Sequence, residues 1–197
     1  MAEGQALRAA DTVTLVNDLT LRPARPHDVE LIYSLIVELA TYERAPEKVV
    51  GTSEMLAEAL FGEHAAAEAL IAELDGEPVA FALFHGTFST WECRPGIWLE
   101  DLYVPPGHRR RGIGQALLAE VARITVERGC ARLEWTALDW NTPALEFYAK
   151  LGAERLSEWD NHRLDGPALE HVAAQASAAR SSTGQPKRAQ HAEPEPS

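Results

Sequence analysis

The sequence of 197 residues lacks several features that would assign it to a class at once. No apolar run approaches the ~18 residues of a membrane span, so an integral membrane protein is not expected. The first residues, MAEGQALRAADTV, hold neither a cationic start nor an apolar h-region, so no secretory signal is expected either. Cysteine is scarce: Cys93 and Cys130 form neither a metal-type spacing nor a disulfide framework, which suits reduced thiols in a cytoplasm. The seven histidines include no i, i+4 pair and no HExxH string, so no metal site is expected. Net positive charge is missing as well. Eighteen Lys and Arg oppose 30 Asp and Glu, for a formal charge of −12. A body so acidic repels nucleic acid and anionic membranes and favours cationic ligands.

What is present is ordinary globular composition, 46% hydrophobic and 24% charged, in a length that suits one domain with tails. Residues 1–17 are Ala-rich without a clear period and read as a loose arm. Residues 175–197 (QASAARSSTGQPKRAQHAEPEPS) contain almost nothing apolar larger than Ala and read as a disordered tail. The domain is therefore placed at 18–174. Within it, DLTLRPA reads as a strand. A helix follows Pro26, with Ile32, Leu35, Ile36 and Leu39 on one stripe, and a second covers Ser53–Leu60. EALIAEL, Asp75-Gly76 and PVAFALFH form a hairpin. IWLEDLYV is a strand halted by Pro105-Pro106, and a long helix through Leu117, Leu118, Val121 and Ile124 stops near Gly129. ARLEWTAL is a further strand. Asn141 caps a helix carrying Phe147, Tyr148 and Leu151, and short strands are expected near 154–158 and 161–164. The fold class is mixed α/β.

One basic run interrupts the acidic body: Arg109-Arg110-Arg111-Gly112-Ile113-Gly114, between a strand and a helix. Glycines there admit a ligand close to the backbone, and unpaired first-turn N–H groups with the helix dipole favour phosphate. A nucleotide P-loop is excluded because GxxxxGK[ST] is absent, and a dinucleotide fingerprint fails at Leu117. The pattern [RQ]-x-x-G-x-[GA] of acetyl-coenzyme A transferases fits in full.

Wider strings agree: ELATYE (38–43), FGEH (61–64), LEDLYV (99–104), RGC (128–130) and LDWNTPALEFYAKLGAE (138–154). In order and spacing over residues 19–174 the chain resembles the GCN5-related N-acetyltransferase (GNAT) superfamily, most of all its spermidine/spermine (diamine) group. The resemblance implies a twisted, mostly antiparallel sheet, splayed at the cofactor cleft and flanked by helices. It also implies acetyl-CoA as co-substrate, with Leu102, Tyr103 and Val104 along its pantetheine and Arg109, Arg110, Arg111, Gly112, Ile113, Gly114 and Gln115 at its pyrophosphate. Asn141, Thr142, Pro143, Ala144 and Leu151 complete the cofactor set. Tyr148 is implied as general acid, and Glu100 as possible base and substrate contact. Asp101, its neighbour, alternates to the other face of a strand. Tyr42, Glu43, Glu134, Trp135, Thr136 and Asp160 are the remaining acceptor positions. A small cationic amine acceptor and a homodimer follow from the same likeness. Two other functions are open: a non-catalytic acyl-CoA sensor, disfavoured by the presence of Tyr148 and Glu100, and a protein-amine acetyltransferase, disfavoured by the acidic body.

Overall fold

The computed structural model describes Leu7, residues 12–14 and residues 18–182, in two compact units, Met1–Glu146 and Phe147–Ser197. The first unit holds one six-stranded sheet whose spatial order is its chain order. The strands are β1 (Val13–Thr14), β2 (Leu19–Pro23), β3 (Glu68–Leu74), β4 (Glu77–Ser89), β5 (Arg94–Tyr103) and β6 (Leu133–Glu134). All neighbours are antiparallel except β5 and β6. The helices are α1 (Val29–Tyr42), α2 (Ser53–Phe61), α3 (Ile113–Glu127), α4 (Thr142–Lys150) and α5 (Gly166–Ser182). Among the described residues no helix is long and apolar enough to cross a membrane.

Local chemistry accounts for most of these boundaries. Asp75 (φ 55°) and Gly76 (φ 82°) are both left-handed, as the tight turn between β3 and β4 demands. Gly129 (φ 65°) ends α3, with the Cys130 N–H donating to the Thr125 carbonyl at 3.0 Å. The start of α1 is tied to β2 by a buried fork: Arg22 donates to both Asp28 oxygens, at 2.7 and 2.8 Å, and its Nε to Glu73 at 2.6 Å. Removing one partner of such a fork costs about 3–5 kcal/mol, because a buried charge is left uncompensated.

Both faces of the sheet are buried. On one, Ile32 and Leu35 of α1 and Leu60 of α2 pack on Ala69, Ile71, Phe81, Leu83 and Tyr103. Alternation sends Leu70, Ala72, Ala80 and Ala82 to the other face. There α3, which meets β2 through β5, brings Leu117, Leu118, Val121 and Ile124.

Several elements differ from the sequence reading. ARLEWTAL yields a strand of only two residues, because the pairing of β5 and β6 stops after Ile97↔Leu133 and Trp98↔Glu134. Just beyond, β5 carries a bulge: Phe84 faces Leu99, but Leu83 faces Asp101, so Glu100 is the extra residue and the strand bends. The strands expected near 154–158 and 161–164 are turn and coil, and residues 154–176 are exposed throughout, so no buried face orders a ladder. From Gly166 the chain instead forms α5, which runs seven residues past Gln175 into the segment read as tail. Alanine has the highest helix propensity, a local preference that an argument from burial alone leaves out. In the arm, Val13 and Thr14 pair with Leu21 and Thr20. The rest of the arm except Leu7 and Thr12, and residues 183–197, lie outside the described residues.

Candidate active site

Three consecutive arginines leave β5, and the backbone separates them. A 3₁₀ turn (Pro106–His108) follows Pro105, then Arg110 (φ 62°) and Gly112 (φ 80°) take left-handed conformations that swing the chain into α3. No side chain caps this helix. Its first internal bond runs from the Ala116 N–H to the Gly112 carbonyl, 2.9 Å, so the N–H groups of Ile113, Gly114 and Gln115 have no acceptor within the helix. A Cβ placed on Gly114 would meet Val104 Cγ2 at 3.7 Å, which puts these donors beside the end of β5. Arg110 and Arg111 are exposed. Outward N–H groups, a helix dipole and two exposed guanidiniums form a donor set that fits a pyrophosphate. Arg109 does something else. It turns back, its Nε donating to the Val104 carbonyl at 2.8 Å, and its guanidinium carbon lies 4.6 Å from the Tyr42 ring centroid and 5.9 Å from that of Tyr103.

The bulge sorts the two carboxylates of LEDLYV. Glu100 is exposed, accepts the Trp98 indole N–H at 2.8 Å and stands 3.8 Å from His85 Nε2. Asp101, opposite Leu83 and two residues from Tyr103, faces the side on which α1 packs. Burial, then repulsion from Glu100 and Glu43, pushes its carboxyl up to about 6. Glu43, just past α1, is also raised by burial. One turn earlier, Glu38 accepts a long hydrogen bond of 3.4 Å from the Tyr103 hydroxyl. The Tyr103 phenol is raised by burial first and by the Glu38 charge second. Val37, Glu38, Thr41, Tyr42, Tyr103 and Pro106 line an open depression of about 420 Å³.

The end of α1 also meets the start of α4 within the first unit. The Tyr42 hydroxyl donates to Asn141 Oδ1 at 3.0 Å, although 99 residues separate the two. Asn141 caps α4 with its own carbonyl, which accepts from Ala144 and Leu145, both at 3.0 Å. Trp140 lies 6.0 Å from Tyr42 between ring centroids, and Arg44 sits 4.8 Å over the Trp140 ring. Of the expected residues, Leu102, Tyr103, Val104, Arg109, Gly114, Tyr42 and Asn141 are thus brought together, with Glu43 beside Asp101. Thr142 and Pro143 are exposed and Ala144 half-buried in the first turn of α4. Glu134 is held by Arg132 at 2.7 Å, Trp135 is half-buried and Thr136 exposed. In the second unit, Tyr148 is half-buried beside Phe147, 5.2 Å between centroids, while Leu151 and Asp160 are exposed. Among the described residues no group of three His, Cys, Asp or Glu is placed to hold a metal ion.

Sequence reasoning passed over Glu38, Arg44 and the company kept by Trp140. Glu38 had a signal, since it stands four residues before Tyr42 and shares its helix face. The choice of Asp101 over Glu100 for the inner position had none, because it depends on a bulge.

Comparison with known proteins agrees with this architecture. The acetyltransferase (GNAT) family profile matches residues 33–153. The thialysine N-epsilon-acetyltransferase of Bos taurus is 37% identical over 164 residues, covering 78% of this chain and 96% of that protein. The L-ornithine N5-acetyltransferase of Arabidopsis thaliana is 27% identical, covering 77% and 86%. Among solved structures, an integron cassette protein from the mobile metagenome of V. cholerae superposes with a TM-score of 0.66 at 27% identity, over 79% of this chain and 98% of that one. With the strands, the glycine loop and the sequence all in agreement, the chain belongs to the GNAT family of acetyltransferases.

Proposed function

We propose that this acetyltransferase moves the acetyl group of acetyl-CoA to a primary amine of a small cationic acceptor, of diamine, polyamine or basic amino acid type, by direct attack on the thioester. One observation carries the reading: the uncapped start of α3 and the carboxylates of Asp101 and Glu43 flank the same few residues at the end of β5. An anion site and a cation site so close suit a phosphorylated co-substrate and an ammonium acceptor. The relatives named above act on amino acids that carry two amines, which supports the same class.

Acetyl-CoA supplies the activated thioester. The N–H groups of Ile113, Gly114 and Gln115, with Arg110 and Arg111, would hold its pyrophosphate. Leu102, Tyr103 and Val104 would line its pantetheine, and Asn141, Thr142, Pro143, Ala144 and Leu151 would complete its site. An alkyl ammonium titrates near pH 10 and must lose a proton before it attacks. Asp101 is the better proton acceptor of the bulge pair: it is half-buried, and its raised pKa lets it exchange protons near neutrality. Glu100, at the exposed rim, then contacts the acceptor's second charge together with Tyr42 and Glu43. Glu134, Trp135, Thr136 and Asp160 are outer acceptor positions in this reading. The Val104 N–H, beyond the last rung of either ladder of β5, is assigned to the carbonyl oxygen as charge builds on it. Tyr148 is assigned as the acid that protonates the departing thiolate, on the strength of the FYxxLGA string.

The test is a mass-spectrometric screen with acetyl-CoA against thialysine, ornithine, spermidine, matched monoamines and a lysine peptide. Singly acetylated small diamines are expected. Acetylation of the peptide alone, or tight coenzyme A binding without any transfer, overturns the proposal in favour of a protein modifier or a sensor. Tyr148→Phe should lower kcat by about 10²–10⁴ at unchanged acetyl-CoA affinity, and wild-type turnover would remove its role. A cytoplasmic homodimer is part of the same reading, supported by the family likeness and by free thiols at Cys93 and Cys130. Light scattering that finds a fully active monomer overturns the dimer.

A further inference from the structure

Tyr42 touches residues from two different parts of the proposed site: Asn141 at the start of α4 and Arg109 from the glycine loop. Its hydroxyl donates at 3.0 Å to Oδ1 of Asn141, the residue that caps α4. Its ring lies 4.6 Å under the Arg109 guanidinium, whose Nε is fixed on the Val104 carbonyl at 2.8 Å. Next in sequence is Glu43, whose charge is felt by Asp101. The acceptor half of the site and the acetyl-CoA half are therefore joined through one tyrosine.

The direction of the hydrogen bond carries a consequence. Asn141 has one carbonyl oxygen and one amino group on its carboxamide, and Tyr42 donates to the oxygen. That choice leaves the amino group as the end Asn141 can present to a ligand. A donor presented in this way suits the carbonyl and phosphoryl oxygens of acetyl-CoA. Arg109 is placed by the same ring. A guanidinium stacked on an aromatic face gains a cation–π attraction, and that holds its Nε where it meets Val104.

We propose that Tyr42, besides contacting the acceptor, couples the two binding events, so that an acceptor amine and coenzyme A each tighten the binding of the other. The inference rests on the proposed function. An amine that engages Glu43 and Asp101 steadies the end of α1. The Tyr42 hydroxyl and ring pass that order to Asn141 and to the Arg109–Val104 contact. By linkage the coupling is the same in both directions.

Calorimetric titration of coenzyme A with and without saturating thialysine tests it. In the wild-type protein thialysine should tighten coenzyme A binding about fivefold or more, within the usual range of coupling between sites. Tyr42→Phe keeps the ring under Arg109 and deletes the hydroxyl, and its coupling factor should fall to near one. Tyr33→Phe is the control. It removes a hydroxyl of the same helix, one that donates to the Gly51 carbonyl at 2.9 Å, and should leave the coupling at the wild-type value. Asn141→Asp retains an oxygen for Tyr42 but loses the amino donor, so it should weaken coenzyme A binding and keep the coupling. Equal coupling in the wild type and in Tyr42→Phe overturns the proposal, as does an absence of coupling in a wild-type protein that binds both ligands. Loss of coupling in Tyr33→Phe overturns it too, by showing that any weakening of α1 has the same effect. A wild-type protein that binds neither coenzyme A nor thialysine overturns the proposed function itself, and the coupling with it.

Discussion

The two edges of β5 are built to opposite specifications. Toward β4 the ladder is long, running from Ser89↔Arg94 to Phe81↔Tyr103 with a single bulge. Toward β6 it has two rungs, at Ile97 and Trp98. The long edge commits backbone groups to a neighbour and lays Phe81, Leu83 and Tyr103 into the core. The short edge leaves the strand unpaired on that side from Leu99 onward, and the glycine loop, Asp101 and Tyr42 gather around that stretch. In the proposed function, stability and recognition are thus drawn from the two sides of one strand, and the bulge at Glu100 separates the part that serves one from the part that would serve both.

That division can be broken from either side, and the paired edge should give the larger response. Phe81 is fully buried, so Phe81→Ala should cost about 3–5 kcal/mol in denaturant unfolding and abolish activity along with the fold. Gly112→Asp acts at the open end. Forcing a side chain to φ 80° should cost about 1–2 kcal/mol of stability, while the added charge beside the α3 donors should remove coenzyme A binding from calorimetry altogether. Unchanged affinity would dissociate the loop from the co-substrate.

Asp101→Asn sharpens the comparison through pH. The Asp101 carboxyl titrates near 6 in the folded protein against about 3.9 for an unperturbed Asp, so the folded state binds more protons between those values. Stability contributed by this group is therefore present at low pH and falls as pH rises from about 4 through 6. The Asn variant should be more stable than wild type by about 1–3 kcal/mol at pH 8 and no more stable at pH 3.5, while its activity drops. A variant less stable at pH 8 would show that Asp101 is held by a favourable partner. The smallest expected effect lies at the rim. Glu43→Gln should raise KM for a diamine severalfold, leave KM for acetyl-CoA nearly unchanged and flatten the salt dependence. Screening shortens from about 10 Å at 0.1 M salt to about 3 Å at 1 M, so the wild-type diamine KM should rise over that range. Diamines and monoamines that respond alike to salt would leave the acidic rim without a role.

Much of this was legible in the chain itself. The Asp75-Gly76 turn, the apolar stripe of α1, the glycine after α3 and the RRRGIG start are all local signals, because a dihedral angle or a helix face is set by residues a few positions apart. Less legible were features that depend on partners. A two-residue β6 reads the same as a longer strand, since ARLEWTAL is apolar enough for either. The inward turn of Arg109, away from its two neighbours, follows from rings at Tyr42 and Tyr103 that stand 67 and 6 positions away in sequence.

Sequence by itself determined the family, the order of elements from β2 to α4, the glycine-rich start of α3 and the acidity of the body, since each rests on residue type at short spacing. Tertiary structure alone decided which of two adjacent carboxylates turns inward, which of three adjacent arginines turns back on the strand, and that Tyr42 reaches Asn141. Those outcomes turn on a register shift between two strands and on contacts across 99 residues, where the energies that choose among orientations belong to packing rather than to any local pattern.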